Sequence, residues 1–157
     1  MSVAVFPGSF DPITVGHVDI IKRAAQVFDI VYVSILDNPG KDSERLSVED
    51  RLELIRDAIK DIPNAKASSS EGLLVDHCRE LGAGVIIRGI RTGADVDYEA
   101  MLEEVNTRIA PDITTVYLIS KAEYAHISSS LVRQLIKIGI SIEGLVPNAD
   151  HIILRRV

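Results

Sequence analysis

Residues 3–17 read V-A-V-F-P-G-S-F-D-P-I-T-V-G-H and pass from a short apolar run into the start of a helix. The apolar run at 3–6 predicts a buried strand, which the following Pro-Gly pair ends. Gly16 and His17 stand at the predicted helix start, where unpaired backbone N–H groups and the helix dipole favour an anion. Gly8 is expected to let the backbone approach that ligand closely. The stretch therefore predicts a strand–loop–helix unit with an anion site in its loop.

Strand-like and helix-like stretches alternate along the rest of the chain. Further strands are predicted at 30–36, 66–69, 85–87 and 114–119. Helices are predicted over 17–28, from Ser47 onward, over 72–82, about 95–109 and 129–138, and from about 148. In the helix at 95–109, Tyr98, Met101, Leu102, Val105 and Ile109 lie on one side. This alternation predicts one α/β domain, a five-stranded parallel sheet with helices on both faces.

Four segments follow predicted strands and are expected to lie at one edge of the sheet. They are residues 7–17, 37–41, 88–91 and 120–130. In open parallel sheets, ligands bind outside the carboxyl ends of the strands, near the point where the strand order reverses. We therefore expect the functional site to be built from these four segments.

Composition narrows the possible partners and location. The 157 residues carry a formal net charge of −6, which disfavours nucleic acid and anionic membrane surfaces as partners. The single cysteine, Cys78, excludes an intrachain disulfide and is expected to be buried as a small apolar side chain. No signal peptide or membrane-spanning run is evident, so a cytoplasmic protein is expected.

The second segment with chemical content is I-S-S-S-L-V-R at residues 127–133. Ser128, Ser129 and Ser130 predict a helix cap, and the same geometry aims hydroxyl and N–H groups at a phosphate. Arg133, about one turn further on, would add positive charge on the same side. An isolated serine triplet is more often a plain cap, and an isolated His17 more often a surface residue beside a capping Thr14.

Two arginines after a predicted strand indicate anion binding, and the absence of two common motifs narrows the enzyme classes. Arg88 and Arg91 flank Gly89 after a predicted strand, and two arginines there in an acidic chain indicate anion binding. No G-x-x-x-x-G-K-[ST] and no G-x-G-x-x-G occurs, so kinase and dehydrogenase hypotheses lose their usual support.

These motifs resemble those of a known enzyme family. G-S-F-D-P-I-T-V-G-H at 8–17 resembles the T/H-x-G-H signature of nucleotidyltransferases, and 127–133 resembles its I-S-S-x-x-x-[RK] partner. The stretch R-G-I-R-T-G-A-D-V-D-Y-E at 88–99 resembles that of the bacterial phosphopantetheine adenylyltransferases. The resemblance runs along the whole chain, and implies a single Rossmann-like nucleotidyltransferase domain over residues 1–157.

The resemblance also implies which residues form the site. Catalytic roles fall on His17, Lys41 and Arg91. ATP contacts fall on Ser9, Phe10, His17, Gly89, Ile90, Arg91, Glu99, Tyr124, Ala125, His126, Ile127, Ser128, Ser129 and Ser130. Contacts to phosphopantetheine fall on Ser9, Lys41, Leu73, Leu74, Arg88, Leu102 and Asn106. No protein ligand to a metal is assigned.

The activity that the resemblance implies is adenylyl transfer from ATP to 4′-phosphopantetheine, giving dephospho-CoA and pyrophosphate. Mg²⁺ is the expected cofactor, and a homohexamer with feedback binding of CoA is the expected assembly. Two alternatives stay open: a sister nucleotidyltransferase with another phosphorylated acceptor, and a non-catalytic sensor of adenine nucleotides.

Overall fold

Five strands alternate with six α-helices along residues 1–37 and 46–154, the parts of the chain that the structure, a computed structural model, describes. The strands are β1 Val3–Gly8, β2 Ile30–Asp37, β3 Ala65–Glu71, β4 Val85–Ile90 and β5 Thr114–Ile119. The helices are α1 Val15–Ala24, α2 Val48–Ile59, α3 Leu74–Glu80, α4 Gly93–Ile109, α5 Ser129–Lys137 and α6 Ala149–Leu154.

The strands form one parallel sheet in the order β3-β2-β1-β4-β5. The chain moves outward from β1 to β3, then returns to the other side of β1 for β4 and β5. The strand order therefore reverses between β1 and β4, where a ligand crevice is expected. The predicted α/β class and five-stranded parallel sheet are confirmed.

Alternate side chains of the strands enter two separate cores. Ala4 and Phe6 of β1 belong to the larger core, together with buried residues of α1 and α2. Val5 faces the other way and packs in a smaller core with Val75 and Cys78 of α3. Because successive strand residues point to opposite faces, apolar positions throughout β1 require cover on both faces. Cys78 is buried as predicted, and its burial raises the pKa of the thiol to about 11.

Three predicted boundaries beside the site are wrong. Strand β1 continues to Gly8 instead of ending before the Pro-Gly pair, because its pairing with β2 extends to Gly8 and Ile35. Helix α1 starts at Val15 rather than at residue 17, because Thr14 is already its N-cap. Strand β4 continues to Ile90 instead of ending at residue 87, because its register with β5 pairs Arg88 with Tyr117. Arg88 is therefore a strand residue, not part of a loop.

Helix α4 has an apolar side that the described chain does not cover. Tyr98, Met101, Val105 and Ile109 are 58, 56, 54 and 47% exposed, respectively, whereas Leu102 is half-buried. The predicted helix is confirmed, but most of its apolar side faces outward. None of the helices in the described residues is long and apolar enough to cross a membrane.

Candidate active site

A cleft of about 490 Å³ opens at the carboxyl ends of β1 and β4, where the strand order reverses. Three of the four predicted segments contribute to this main cleft, namely 7–17, 88–91 and 120–130. The fourth segment, 37–41, lies outside the described residues except for Asp37. The predicted site residues that line the main cleft are Ser9, Phe10, His17, Arg88, Gly89, Arg91, Glu99, Tyr124, Ile127, Ser128, Ser129 and Ser130.

The His17 ring is held in its orientation by the N-cap residue of α1. Its Nδ1 atom accepts a hydrogen bond from the backbone N–H of Thr14 at 3.0 Å, and the Thr14 hydroxyl lies 3.1 Å from the same atom. Because Nδ1 accepts, the neutral ring carries its proton on Nε2 and can donate from there. Thr14 is therefore a helix cap, as one interpretation of this segment predicts, and His17 nevertheless lines the main cleft, as the other predicts.

The His17 ring is kept neutral by its surroundings. Burial, and secondly the positive charge of Arg91, lower the pKa of His17 from 6.5 to about 4. The Phe10 ring packs against it edge-on, with centroids 5.1 Å apart. A neutral imidazole at this position is suited to hydrogen-bond donation from Nε2 toward a phosphate oxygen.

The structure shows a reason for glycine at position 8 that the sequence does not reveal. A Cβ atom there would lie 3.0 Å from two ring carbons of Phe10, so the missing side chain makes room for that ring. Phe10 itself is buried and has φ +45°, a left-handed conformation that is uncommon outside glycine. Close packing of Phe10 is therefore one reason for glycine at position 8, and Gly8 also lines the main cleft, where close approach of a ligand stays a prediction.

Helix α5 is tied directly to the loop between β1 and α1. The Ser129 hydroxyl donates to the carbonyl of Pro12 at 2.8 Å, and Arg133 Nη1 donates to the carbonyl of Asp11 at 2.5 Å. Ser128 is the N-cap and accepts from the backbone N–H of Leu131. The two motifs from opposite ends of the sequence are therefore in contact, and the N-termini of α1 and α5 face one cleft.

Arg91 reaches across the main cleft from the end of β4. Its guanidinium donates to the carbonyl of Ile127 at 3.5 Å, and its backbone N–H donates to Asp95 at 2.9 Å. The hydrogen bond from Arg91, with a second from Thr92, lowers the pKa of Asp95. Arg91 thus places positive charge between the N-termini of the two helices.

Arg88 and Glu99 form a bidentate ion pair. Arg88 Nε and Nη2 donate to the two carboxylate oxygens of Glu99 at 2.8 and 2.6 Å. Glu99 is buried, and this pair forms a wall shared by the main cleft and a second, smaller cavity. Glu99 therefore orients Arg88 in this structure.

The smaller cavity, called here the side cavity, has a volume of about 220 Å³. It lies between the sheet and helices α3 and α4, and its lining includes Leu74, Leu102 and Asn106, three residues predicted to contact phosphopantetheine. At its edge Tyr117 donates to Glu103 at 2.5 Å. Burial, and secondly that hydrogen bond, raise the pKa of Tyr117.

Some predicted residues do not line either cavity. Leu73 precedes α3 and is 60% exposed, so its side chain lies away from the side cavity. The lining also lacks Ile90, Ala125 and His126. Lys41 lies outside the described residues. For these five residues the predicted contacts rest on the resemblance alone.

Several residues of the site were missed at the level of sequence. Asp95 lines the main cleft and binds the backbone at the end of β4, and its T-x-x-D spacing from Thr92 is a capping signal that would have identified it. Asp11 and Arg51 gave no such signal. Asp11 lies in a loop, where a carboxylate is usually exposed, and Arg51 lies on the apolar side of α2, where an isolated charge is usually interpreted as a surface residue.

No group of three or more His, Cys, Asp or Glu side chains that could hold a metal ion occurs in the described parts of the chain. The two carboxylates of the main cleft are engaged, Asp95 with backbone N–H groups and Glu99 with Arg88. A divalent ion entering here would fit best as one already bound to phosphate oxygens.

Known proteins match the chain over nearly its full length. A family model described as cytidylyltransferase-like matches residues 5–135. A crystal structure of a Vibrio parahaemolyticus protein, proposed to be a nicotinate-nucleotide adenylyltransferase, has a TM-score of 0.71 at 19% identity, and the match covers 98% of this chain and 93% of that one. At that identity the likeness supports the fold alone.

Curated relatives are much closer in sequence. The phosphopantetheine adenylyltransferases of Clostridium novyi and Symbiobacterium thermophilum are each 50% identical over 94% of this chain, covering 91 and 90% of their own lengths. That of Clostridium tetani is 48% identical over 94% of this chain and 92% of its own. With about half of the aligned residues identical over almost all of each chain, this protein belongs to the phosphopantetheine adenylyltransferase family of cytidylyltransferase-like nucleotidyltransferases.

Proposed function

We propose that this protein transfers the adenylyl group of ATP to 4′-phosphopantetheine, giving dephospho-CoA and pyrophosphate in coenzyme A biosynthesis. The observation that carries the proposal is the contact between the two motifs: Ser129 and Arg133 bond to the loop before His17, so both flank one cleft. Family membership supplies the acceptor, since the relatives are named for it.

The proposed reaction is a direct displacement with no covalent intermediate. A phosphate oxygen of the acceptor attacks the α-phosphorus of ATP in line, and the bond from that phosphorus to the leaving pyrophosphate breaks. The second pKa of a phosphate monoester is about 6, so the nucleophile is largely dianionic at neutral pH and needs no general base. The protein then contributes positioning and compensation of charge.

Each part of the cleft receives a role in this proposal. His17 donates from Nε2 to the α-phosphoryl oxygen as charge develops there, and Arg91 adds positive charge beside it. Ser129 and Ser130 bind the β- and γ-phosphates at the N-terminus of α5. Arg88 and Lys41 steady the phosphate of the acceptor.

Mg²⁺ enters the proposal together with ATP. Magnesium commonly keeps several waters and binds through substrate phosphates, which agrees with a cleft whose described carboxylates already have partners. It would neutralise part of the triphosphate charge when bound.

Assembly and location are part of the same proposal. A homohexamer is supported by the exposed apolar side of α4, with Tyr98 and Met101 more than half exposed. CoA is proposed as a feedback ligand, and the cytoplasm as the location, because the proposed ATP substrate is supplied there. Sedimentation equilibrium and a titration with CoA test the first two.

The decisive experiment mixes the protein with ATP, Mg²⁺ and one acceptor at a time, and measures pyrophosphate release. We expect release with 4′-phosphopantetheine and none with nicotinate mononucleotide or glycerol 3-phosphate. Release with either of those instead would identify a sister nucleotidyltransferase. Binding of ATP without release for any acceptor would identify a nucleotide sensor.

A further inference from the structure

Asp11 has a fully buried carboxylate in the loop between β1 and α1. Within residues 1–37 and 46–152, its Oδ2 is the buried side-chain polar atom that lacks a hydrogen-bond partner. Burial of such an atom is costly unless a charge compensates it. The compensating group is Arg133, whose Nη1 lies 3.7 Å from Oδ2.

The remaining polar atoms of Asp11 join two distant segments. Its Oδ1 accepts from the backbone N–H of Leu46 at 3.2 Å, just before α2. Its backbone carbonyl accepts from Arg133 Nη1 at 2.5 Å. Three segments that are far apart in the sequence therefore meet at one residue.

Arg51 closes the other side of this junction. It is buried, and it donates from Nε to the carbonyl of Leu46 at 3.1 Å and from Nη1 to the carbonyl of Ser9 at 3.0 Å. The peptide groups of Leu46 are thus held by Asp11 on one side and Arg51 on the other. The junction is rigidly tied to the loop that carries Ser9.

Arg133 is the member of the junction that reaches the main cleft. Its side chain is 28% exposed, and Nη2 donates to the Ser130 hydroxyl at 3.2 Å. We propose that Asp11 is a positioning residue, which holds the Arg133 guanidinium beside Ser130 in the orientation that binds the terminal phosphates of ATP. This assignment rests on the proposed function. Holding the guanidinium in advance removes the entropy cost of ordering it when the nucleotide arrives.

A purely structural role for Asp11 makes a different prediction. In that case its replacement would lower the stability of the protein, but the molecules that remain folded would bind ATP normally. The positioning role requires that the loss of ATP affinity run through Arg133. A double-mutant cycle separates the two roles.

The test is calorimetric titration with MgATP of the wild type, Asp11→Asn, Arg133→Met and the double variant. Asn keeps an acceptor for the Leu46 N–H and removes the charge that faces Arg133. We expect Asp11→Asn to weaken ATP binding about 10-fold in the wild-type background, because the buried charge that orients the Arg133 guanidinium is lost. In the Arg133→Met background it should have almost no further effect.

Two outcomes of the cycle would overturn the proposal. One is an unchanged ATP affinity in Asp11→Asn. The other is a double variant whose fold-loss of ATP affinity equals the product of the fold-losses of the two single variants. Ser34→Ala is the matched control, because Ser34 is buried and bonded to Ser68 and His77. Its loss should lower stability and leave ATP affinity unchanged.

A second measurement applies even if Asp11→Asn does not fold. In the nucleotide-free wild type, restricted rotation should give the two Nη atoms of Arg133 separate nitrogen NMR signals, assigned by their disappearance in Arg133→Lys. A single averaged signal overturns the proposal. Wild type that binds ATP without transferring adenylyl groups would refute the proposed reaction and leave the cycle interpretable, whereas wild type that binds no ATP refutes both.

Discussion

The main cleft and the side cavity share the Arg88–Glu99 wall but are built in different ways. The main cleft is formed by loops and helix N-termini that hydrogen-bond to one another, such as Ser129 to Pro12 and Thr14 to His17. The side cavity is formed by side chains that are scattered over strands and helices, among them Ile86, Leu102 and Tyr117, and that come together through tertiary packing and a few side-chain hydrogen bonds such as that from Tyr117 to Glu103.

This difference separates specificity for the nucleotide from specificity for the acceptor. The backbone N–H groups and fixed donors of the main cleft suit any nucleoside triphosphate, and they are encoded in contiguous motifs. The shape of the side cavity depends on residues scattered over α3, α4 and the sheet, and the proposed function assigns these residues to the acceptor. Each of the following changes is directed at one side of that division.

The largest expected effect comes from His17. We expect His17→Ala to lower kcat on the order of 100-fold or more, because a donor to the developing phosphoryl charge is lost, with ATP affinity changed much less. The measurement is steady-state kinetics of pyrophosphate release.

His17→Gln is the companion variant. Gln can accept from the Thr14 N–H as the imidazole does, and should therefore restore the thermal stability lost in His17→Ala without restoring wild-type turnover. Turnover of either variant equal to that of wild type would remove His17 from the mechanism.

The next effect concerns the shared wall. Arg88→Met should raise the KM for phosphopantetheine about 30-fold, because the proposed contact of the guanidinium with the acceptor phosphate is lost, and should leave the KM for ATP nearly unchanged. Arg79→Met is the matched control, since Arg79 is exposed and pairs with Asp76 and Asp112 away from both cavities. Equal rises in both KM values would show that the wall does not separate the two substrates.

A smaller effect is expected from filling the side cavity. Leu102→Trp should raise the KM for phosphopantetheine about 10-fold by occupying space that the acceptor uses, while ATP binding is retained. Thr107→Trp places the same ring on an exposed position of α4 and should leave both KM values unchanged. An unchanged acceptor KM in Leu102→Trp would show that the acceptor does not enter this cavity.

The smallest effect, an absence of titration, is expected for the His17 ring between pH 5 and 8. Its pKa of about 4 keeps the ring neutral in this range, so the chemical shifts of its NMR signals should not change with pH. Since the pKa is lower in the folded than in the unfolded chain, the unfolded chain binds more protons below about pH 6.5. The contribution of neutral His17 to stability is therefore present above that pH and lost as pH falls toward 4. A midpoint near 6.5 in the folded protein would contradict the buried environment described for the ring.

The sequence predicted the fold well because its signals are local. Thr114–Ile119 was predicted to the residue, and the buried side of α2, with Leu52, Ile55 and Ile59, follows from helical spacing. The end of β4 was wrong because Arg88 and Gly89 have low strand propensity, and only pairing with β5 extends the strand. Tertiary pairing overrode the local signal.

The site was predictable where its residues lie in motifs and less so elsewhere. Ser128 and His17 follow from loop-to-helix positions, whereas the pairing of Glu99 with Arg88 depends on how α4 crosses β4. Asp11 and Arg51 could not be recognised because their partners include groups of remote segments, such as the Leu46 N–H and the Arg133 side chain for Asp11 and the Ser9 carbonyl for Arg51. Sequence patterns do not reveal which backbone groups will meet.

The bonds from Ser129 to Pro12 and from Arg133 to Asp11 span 117 and 122 residues. A nascent chain that has not yet produced α5 would have the first motif but no completed cleft. Closing so long a loop is slow compared with local helix formation, so the cleft should be among the last features to form. ATP, by binding only the completed cleft, would stabilise finished molecules selectively. In addition to its role as a substrate, the nucleotide would then raise the stability of full-length chains over incomplete ones.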